Sequence, residues 1–175
     1  LDTIEAAASS EGRITGIATG FTDLDYKLSG LHSSELIIVA ARPAMGKTSF
    51  VLNIAQKAAV RDHVPTAIFS LEMSKEQLVT RMMAMEAMVD SQAIRTGDLQ
   101  EMDWEKIMES AGDIGRSSLI IDDTPGITIA ELRSKCRRYK QMHGLDLIII
   151  DYLQLMSGGR RLESRQQEIS EISRS

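Results

Sequence analysis

Leu36-Ile37-Ile38-Val39-Ala40-Ala41-Arg42-Pro43-Ala44-Met45-Gly46-Lys47-Thr48-Ser49 decides how the rest of the chain is read. An aliphatic run is followed by a short loop, and over residues 49–59 the apolar spacing turns helical. Strand, loop and helix in that order, with Gly-Lys-Thr at the junction, form the arrangement that cradles the phosphates of a nucleoside triphosphate. Successive backbone N–H groups and the positive end of the following helix make an anion-binding concavity. Lys47 adds a full charge against the β and γ phosphates, and Thr48 offers a hydroxyl to magnesium. Gly46 lets the backbone approach the phosphate oxygens, which a Cβ would hold away. Ala41 occupies a position where this loop usually begins with glycine, so the bend there must avoid positive φ; Pro43 stiffens the entry by fixing its own φ.

Outward from this loop, short apolar runs alternate with longer helical stretches, the signature of a parallel sheet with crossover helices. Four buried strands are expected, at 36–41, 66–71, 119–122 and 147–151. Capping boxes announce two of the helices, Ser74 with Gln77 and Thr128 with Glu131. Ligand chemistry belongs at the carboxyl ends of such strands. Leu147-Ile148-Ile149-Ile150-Asp151 is a Walker B pattern, whose terminal carboxylate can reach the magnesium region through water or the Thr48 hydroxyl. Glu72 ends the second strand at the same edge, where a carboxylate can orient and deprotonate the water that attacks a γ-phosphate; the alternative is that it only favours the positive start of the next helix. Asp122 and Asp123 read as turn and capping residues leading into Thr124-Pro125-Gly126.

A chain of 175 residues with 43% hydrophobic content can bury one core, so a single compact unit is expected. Cys136 is the lone cysteine, which excludes an intrachain disulfide framework and suggests a reducing, cytoplasmic setting. No stretch approaches the ~20 apolar residues that span a bilayer. A net charge of −5 argues against a nucleic-acid-coating surface, and 4% aromatic content argues against a base-stacking platform; any nucleic-acid contact should run locally through backbone phosphates. The glycine-flanked pair Arg160 and Arg161 is the best candidate for such a contact, with a solvated mobile loop as an equal alternative. Arg133, Lys135, Arg137, Arg138 and Lys140 read as a solvated helix face, and the methionines at 82, 83, 85 and 88 as core filler.

Ordered blocks along nearly the whole chain resemble the ATPase domain of DnaB-type bacterial replicative DNA helicases, a RecA-like fold. They are Thr19-Gly20-Phe21 with Leu24-Asp25, the loop from Ala41 to Thr48, Phe69-Ser70-Leu71-Glu72-Met73-Ser74, and Arg95-Thr96-Gly97. Ile121-Asp122-Asp123-Thr124-Pro125, Lys135-Cys136-Arg137-Arg138, Asp151-Tyr152-Leu153-Gln154-Leu155 and Arg165-Gln166-Gln167-Glu168-Ile169-Ser170 continue the series. The resemblance implies an α/β P-loop NTPase core with a mostly parallel sheet and helices on both faces. It also implies ATP held by Ala44, Met45, Gly46, Lys47, Thr48, Ser49 and Arg81, and Mg2+ at Thr48 and Asp151. Glu72, Lys47 and Asp151 carry the catalysis in this scheme. The implied assembly is a homo-hexameric ring with ATP between subunits, single-stranded DNA in the channel, and a primase and helicase loader as partners.

Residues 1–15 then read as a linker from an upstream region, with a frayed chain end as the alternative, and 16–175 as the ATPase domain. The last residues fall inside an amphipathic helical pattern without a stop signal, so the domain is expected to be C-terminally incomplete and this chain alone to bind nucleotide weakly. Two other functions stay open at this level: a recombination or assembly ATPase that binds DNA without unwinding, and a nucleotide-binding scaffold without catalysis.

Overall fold

The computed structural model describes residues 14–42 and 44–151. In chain order its elements are α1 (Thr22–Leu28), α2 (Lys47–Gln56) running into a π-helical turn (Lys57–Arg61), β1 (Thr66–Ser70), α3 (Lys75–Ala87), α4 (Ser91–Thr96), α5 (Glu101–Arg116), β2 (Leu119–Asp122), α6 (Ile129–His143) and β3 (Leu147–Asp151). The strands form one parallel sheet in the order β2-β1-β3, with Thr66 level with Leu119 and Leu147, and Ser70 level with Asp151.

Each strand is a run of aliphatic residues because both faces of the sheet are covered. On one face Ile68, Ile121 and Ile149 pack with Leu52 and Ala55 of α2, Leu78 and Met82 of α3, and Ile114 of α5. On the other, Ala67, Phe69, Ile120 and Ile150 meet Leu132, Cys136 and Tyr139 of α6, with Ile127 and Leu145 closing the ends. Phe69 is fully buried on the central strand, and its burial alone contributes roughly 2–3 kcal/mol. The two-sided covering follows from handedness: the chain leaves β1 towards β2 in one direction and returns across β1 to β3 in the other. Right-handed crossovers in opposite directions put α3 to α5 and α6 on opposite faces.

Both predicted capping boxes are present. Ser74 Oγ accepts from the Gln77 amide while Gln77 reaches back to the Ser74 amide, and Thr128 and Glu131 do the same at α6. The last two predicted strands have their expected bounds and the one at 66–71 ends a residue earlier, at Ser70.

The predicted first strand is a correction. Residues 36–41 form no ladder among the described residues, and Leu36, Ile37, Ile38 and Val39 are 66%, 47%, 71% and 39% exposed. A β-strand exists only with a neighbour to accept and donate its backbone hydrogen bonds, and the described part of the sheet offers this segment none. The helix expected over 49–59 starts two residues earlier, at Lys47, and changes to π geometry at Lys57.

Candidate nucleotide-binding site

The loop before α2 is shaped by two left-handed residues, Ala44 at φ 62° and Gly46 at φ 82°. Gly46 is the N-cap of α2, a place where positive φ makes glycine the favoured residue. Ala41 has no positive φ, as its lack of a glycine requires. The Met45 amide donates to the Arg42 carbonyl at 3.3 Å and closes the turn. Pro43 lies outside the described residues. Among the described residues no side chain caps α2, in contrast to the boxes on α3 and α6, so its first amides have no side-chain acceptor.

Two side chains at that start turn to the end of β3. Thr48 Oγ1 donates to Asp151 Oδ2 at 2.6 Å, and Lys47 Nζ lies 3.1 Å from Asp151 Oδ1. Asp151 is buried, at 5% exposure, while Lys47 is half-buried and Met45 and Ser49 are open to solvent. The sequence separates Thr48 and Asp151 by 103 residues; the fold joins them in one hydrogen bond.

Leu71, just after β1, donates its amide to the Asp151 carbonyl at 2.8 Å, and Glu72 is the next residue. It is exposed and makes no hydrogen bond or ion pair among the described residues. Arg81 is exposed on the second turn of α3 and makes no bond to the P-loop. Arg160 and Arg161 lie outside the described residues, as do the linker residues 1–13.

Hard oxygen donors, one carboxylate and one hydroxyl meeting beside a lysine, suit a magnesium ion that takes its remaining ligands from phosphate and water. Among the described residues no cluster of three or more His, Cys, Asp or Glu could hold a metal by itself.

A second polar cluster sits at the end of β2. Asp122 Oδ2 accepts from Lys135 Nζ at 2.6 Å and from the Tyr139 hydroxyl at 3.0 Å, while Oδ1 accepts from the Thr124 hydroxyl and amide at 2.6 and 3.1 Å. Burial pushes the Asp122 carboxyl up, but Lys135 and the Thr124 and Tyr139 donors outweigh it and hold the group at about 2. Lys135 is therefore no member of a solvated face, whereas Lys140 is exposed as expected, its Nζ donating to the Leu145 carbonyl at 2.7 Å. Lys135 and Tyr139, four residues apart, border the apolar stripe of Leu132 and Cys136, a signal the sequence carried. Burial, with the Asp122 charge nearby, raises the Cys136 thiol, as expected of an inert cysteine.

At the entry, Asp25 accepts from the Thr19 amide and hydroxyl at 2.8 and 2.7 Å and from the Gly20 amide at 3.1 Å. Burial opposes its charge, yet these donors and Lys57 hold it below the usual carboxylate range. Phe21 stacks on Phe50 at 4.9 Å and pins this entry to α2.

A parallel sheet clad on both faces, with an uncapped helix start facing a strand-terminal aspartate, defines the class: a RecA-like P-loop domain. The chain belongs to the DnaB-like helicase C terminal domain family, which matches residues 16–175. It is 54% identical over 174 residues to the replicative DNA helicase DnaC of Bacillus subtilis and 54% identical over 175 residues to the replicative DNA helicase DnaB of Geobacillus stearothermophilus. Each alignment covers 99% of this chain and 38% of the relative, so the chain spans about two fifths of their length. Among solved structures, one ATPase domain superposes with a TM-score of 0.91 at 34% identity, covering 99% of this chain and 62% of that one. A DnaB-like replicative helicase, solved to show its interactions with primase, superposes at 0.89 and 34% identity, covering 99% of this chain and 42% of that one.

Proposed function

We propose that this chain is the ATPase part of a longer replicative DNA helicase, which couples hydrolysis of ATP with Mg2+ to movement along single-stranded DNA and duplex unwinding. The observation that carries it is the convergence of Lys47 and Thr48 on Asp151 beside an uncapped helix start. The family membership and the names of the relatives support helicase work over recombination.

In this scheme the backbone from Ala44 to Ser49 receives the phosphates, and Lys47 exchanges its contact with Asp151 for one with phosphate oxygen. Thr48 and Asp151 hold the magnesium ion, which neutralises charge on the phosphates when bound. Glu72, exposed beside Asp151 and without a partner among the described residues, orients and deprotonates the attacking water. Arg81 adds a charge near the nucleotide. Arg160 and Arg161 follow the DNA backbone, and a homo-hexamer supplies the channel, with a primase and a loader as partners. No helix among the described residues is long and apolar enough to cross a membrane.

The test is made on the full-length protein. Lys47→Ala should weaken a fluorescent ATP analogue by about 10- to 100-fold in a titration, since it removes a charged hydrogen-bond donor. Glu72→Gln should bind that analogue normally, while ATP turnover falls by about 100-fold or more and displacement of a forked duplex stops. Unchanged affinity in the first variant sinks the phosphate site, and turnover in the second sinks Glu72 as the base. Wild-type turnover with no strand displacement would put the protein among non-unwinding ATPases.

A further inference from the structure

Glu72 has no side-chain partner among the described residues, so its aim depends on the backbone on either side of it. On one side stands β1, fixed by ladders to both β2 and β3. On the other, the bend into α3 is clamped from within: Ser70 Oγ donates to the Met73 carbonyl at 2.7 Å and accepts from the Met73 amide at 3.2 Å. A third tie comes from the corner after another strand. Asp123 Oδ2 accepts from the Lys75 amide at 3.0 Å, at the first residue of α3. That amide is one of the helix's orphan donors, and a carboxylate there also meets the positive end of the helix.

Asp123 can act as a fixed post because its neighbour is immobilised. Asp122 is held by Lys135, Thr124 and Tyr139, and Lys135 Nζ also donates to Thr124 Oγ1 at 2.7 Å. The corner between β2 and α6 is thereby a rigid block, set on the opposite side of β1 from the strand that meets the P-loop. We infer that Asp123, braced by the Asp122 to Lys135 cluster, is a positioning residue for Glu72: it fixes the start of α3 and so the direction in which the carboxylate after β1 points. This role stands on Glu72 being the base, as proposed above.

The experiment uses the full-length protein and the pair Asp123→Ala and Asp123→Asn. The alanine variant should lose about tenfold in kcat, because small misplacements of a catalytic group are costly, while KM for ATP and affinity for a fluorescent ATP analogue stay at wild-type values. The asparagine variant keeps an acceptor oxygen and should recover most of the loss. In a Glu72→Gln background, Asp123→Ala should cost nothing more, since groups acting through one another are non-additive. Three results would overturn the role: wild-type kcat in Asp123→Ala, a parallel fall in nucleotide affinity, or a further tenfold loss in the double variant. Near-normal turnover by Glu72→Gln alone would instead remove the base, a failure read separately from these.

Discussion

Asp122 and Asp151 end the two strands that flank β1, and each is met by one lysine and one threonine. Their partners differ in origin. Asp151 takes Lys47 and Thr48 from the start of α2, where the proposed nucleotide would sit, whereas Asp122 takes Lys135 and Thr124 from its own corner. The Asp122 carboxyl is lowered from 3.8 to about 2, and the sign of the pH effect follows. A carboxyl depressed by folding stabilises the fold above its unfolded value and loses that contribution as pH falls through the folded one. Between about pH 4 and pH 2 this one group should cost on the order of 2 kcal/mol of stability, read as a falling urea midpoint, and Asp122→Asn should flatten that window. A wild-type slope in the asparagine variant would place the acid sensitivity elsewhere. The sequence showed Asp122 as a turn residue, which its bonds to Thr124 bear out. The lysine 13 residues away was misread because a tertiary partner leaves no local mark beyond its place beside an apolar stripe.

Elements were legible where their causes are local. Thr128 with Glu131 and Ser74 with Gln77 satisfy orphan amides within one helical turn, so residue types at fixed spacing sufficed to locate the starts of α6 and α3. The Thr128 box also sets the phase that turns Leu132, Cys136 and Tyr139 onto the sheet. Thr128→Ala should lower unfolding stability by about 1 kcal/mol, the usual worth of such a cap, with nucleotide affinity unchanged because α6 lies across the sheet from α2. A shift in denaturant midpoint without a change in the binding titration is the expected pair of readings. The run at 36–41 shows the opposite case. Its residues suit a strand, but pairing is a property of two segments, and an apolar pattern in one says nothing of whether the other is beside it.

For the molecule as a whole, the alternation of aliphatic runs and helical stretches was enough to give a parallel sheet with crossover helices, and the family resemblance implied their placement on both faces. Chain direction did the rest. The β1-to-β2 and β2-to-β3 crossovers run on opposite faces, and Asp151, Lys47 and Glu72 stand at the carboxyl ends of the strands, the usual place for a ligand in such sheets. Lys47, Thr48 and Asp151 were readable together since the loop motif and the strand-end carboxylate are both short patterns. The tie from Asp123 to α3 was not, because it spans 48 residues and depends on strand order.

The uncovered aliphatics from Leu36 to Val39 have a practical effect on this chain in solution. A stretch without a ladder among the described residues and with large exposed apolar side chains invites the same stretch of another molecule to lie alongside it. Light scattering should report self-association that grows with protein concentration, and Ile38→Lys, which places a charge on its most exposed residue, should suppress it.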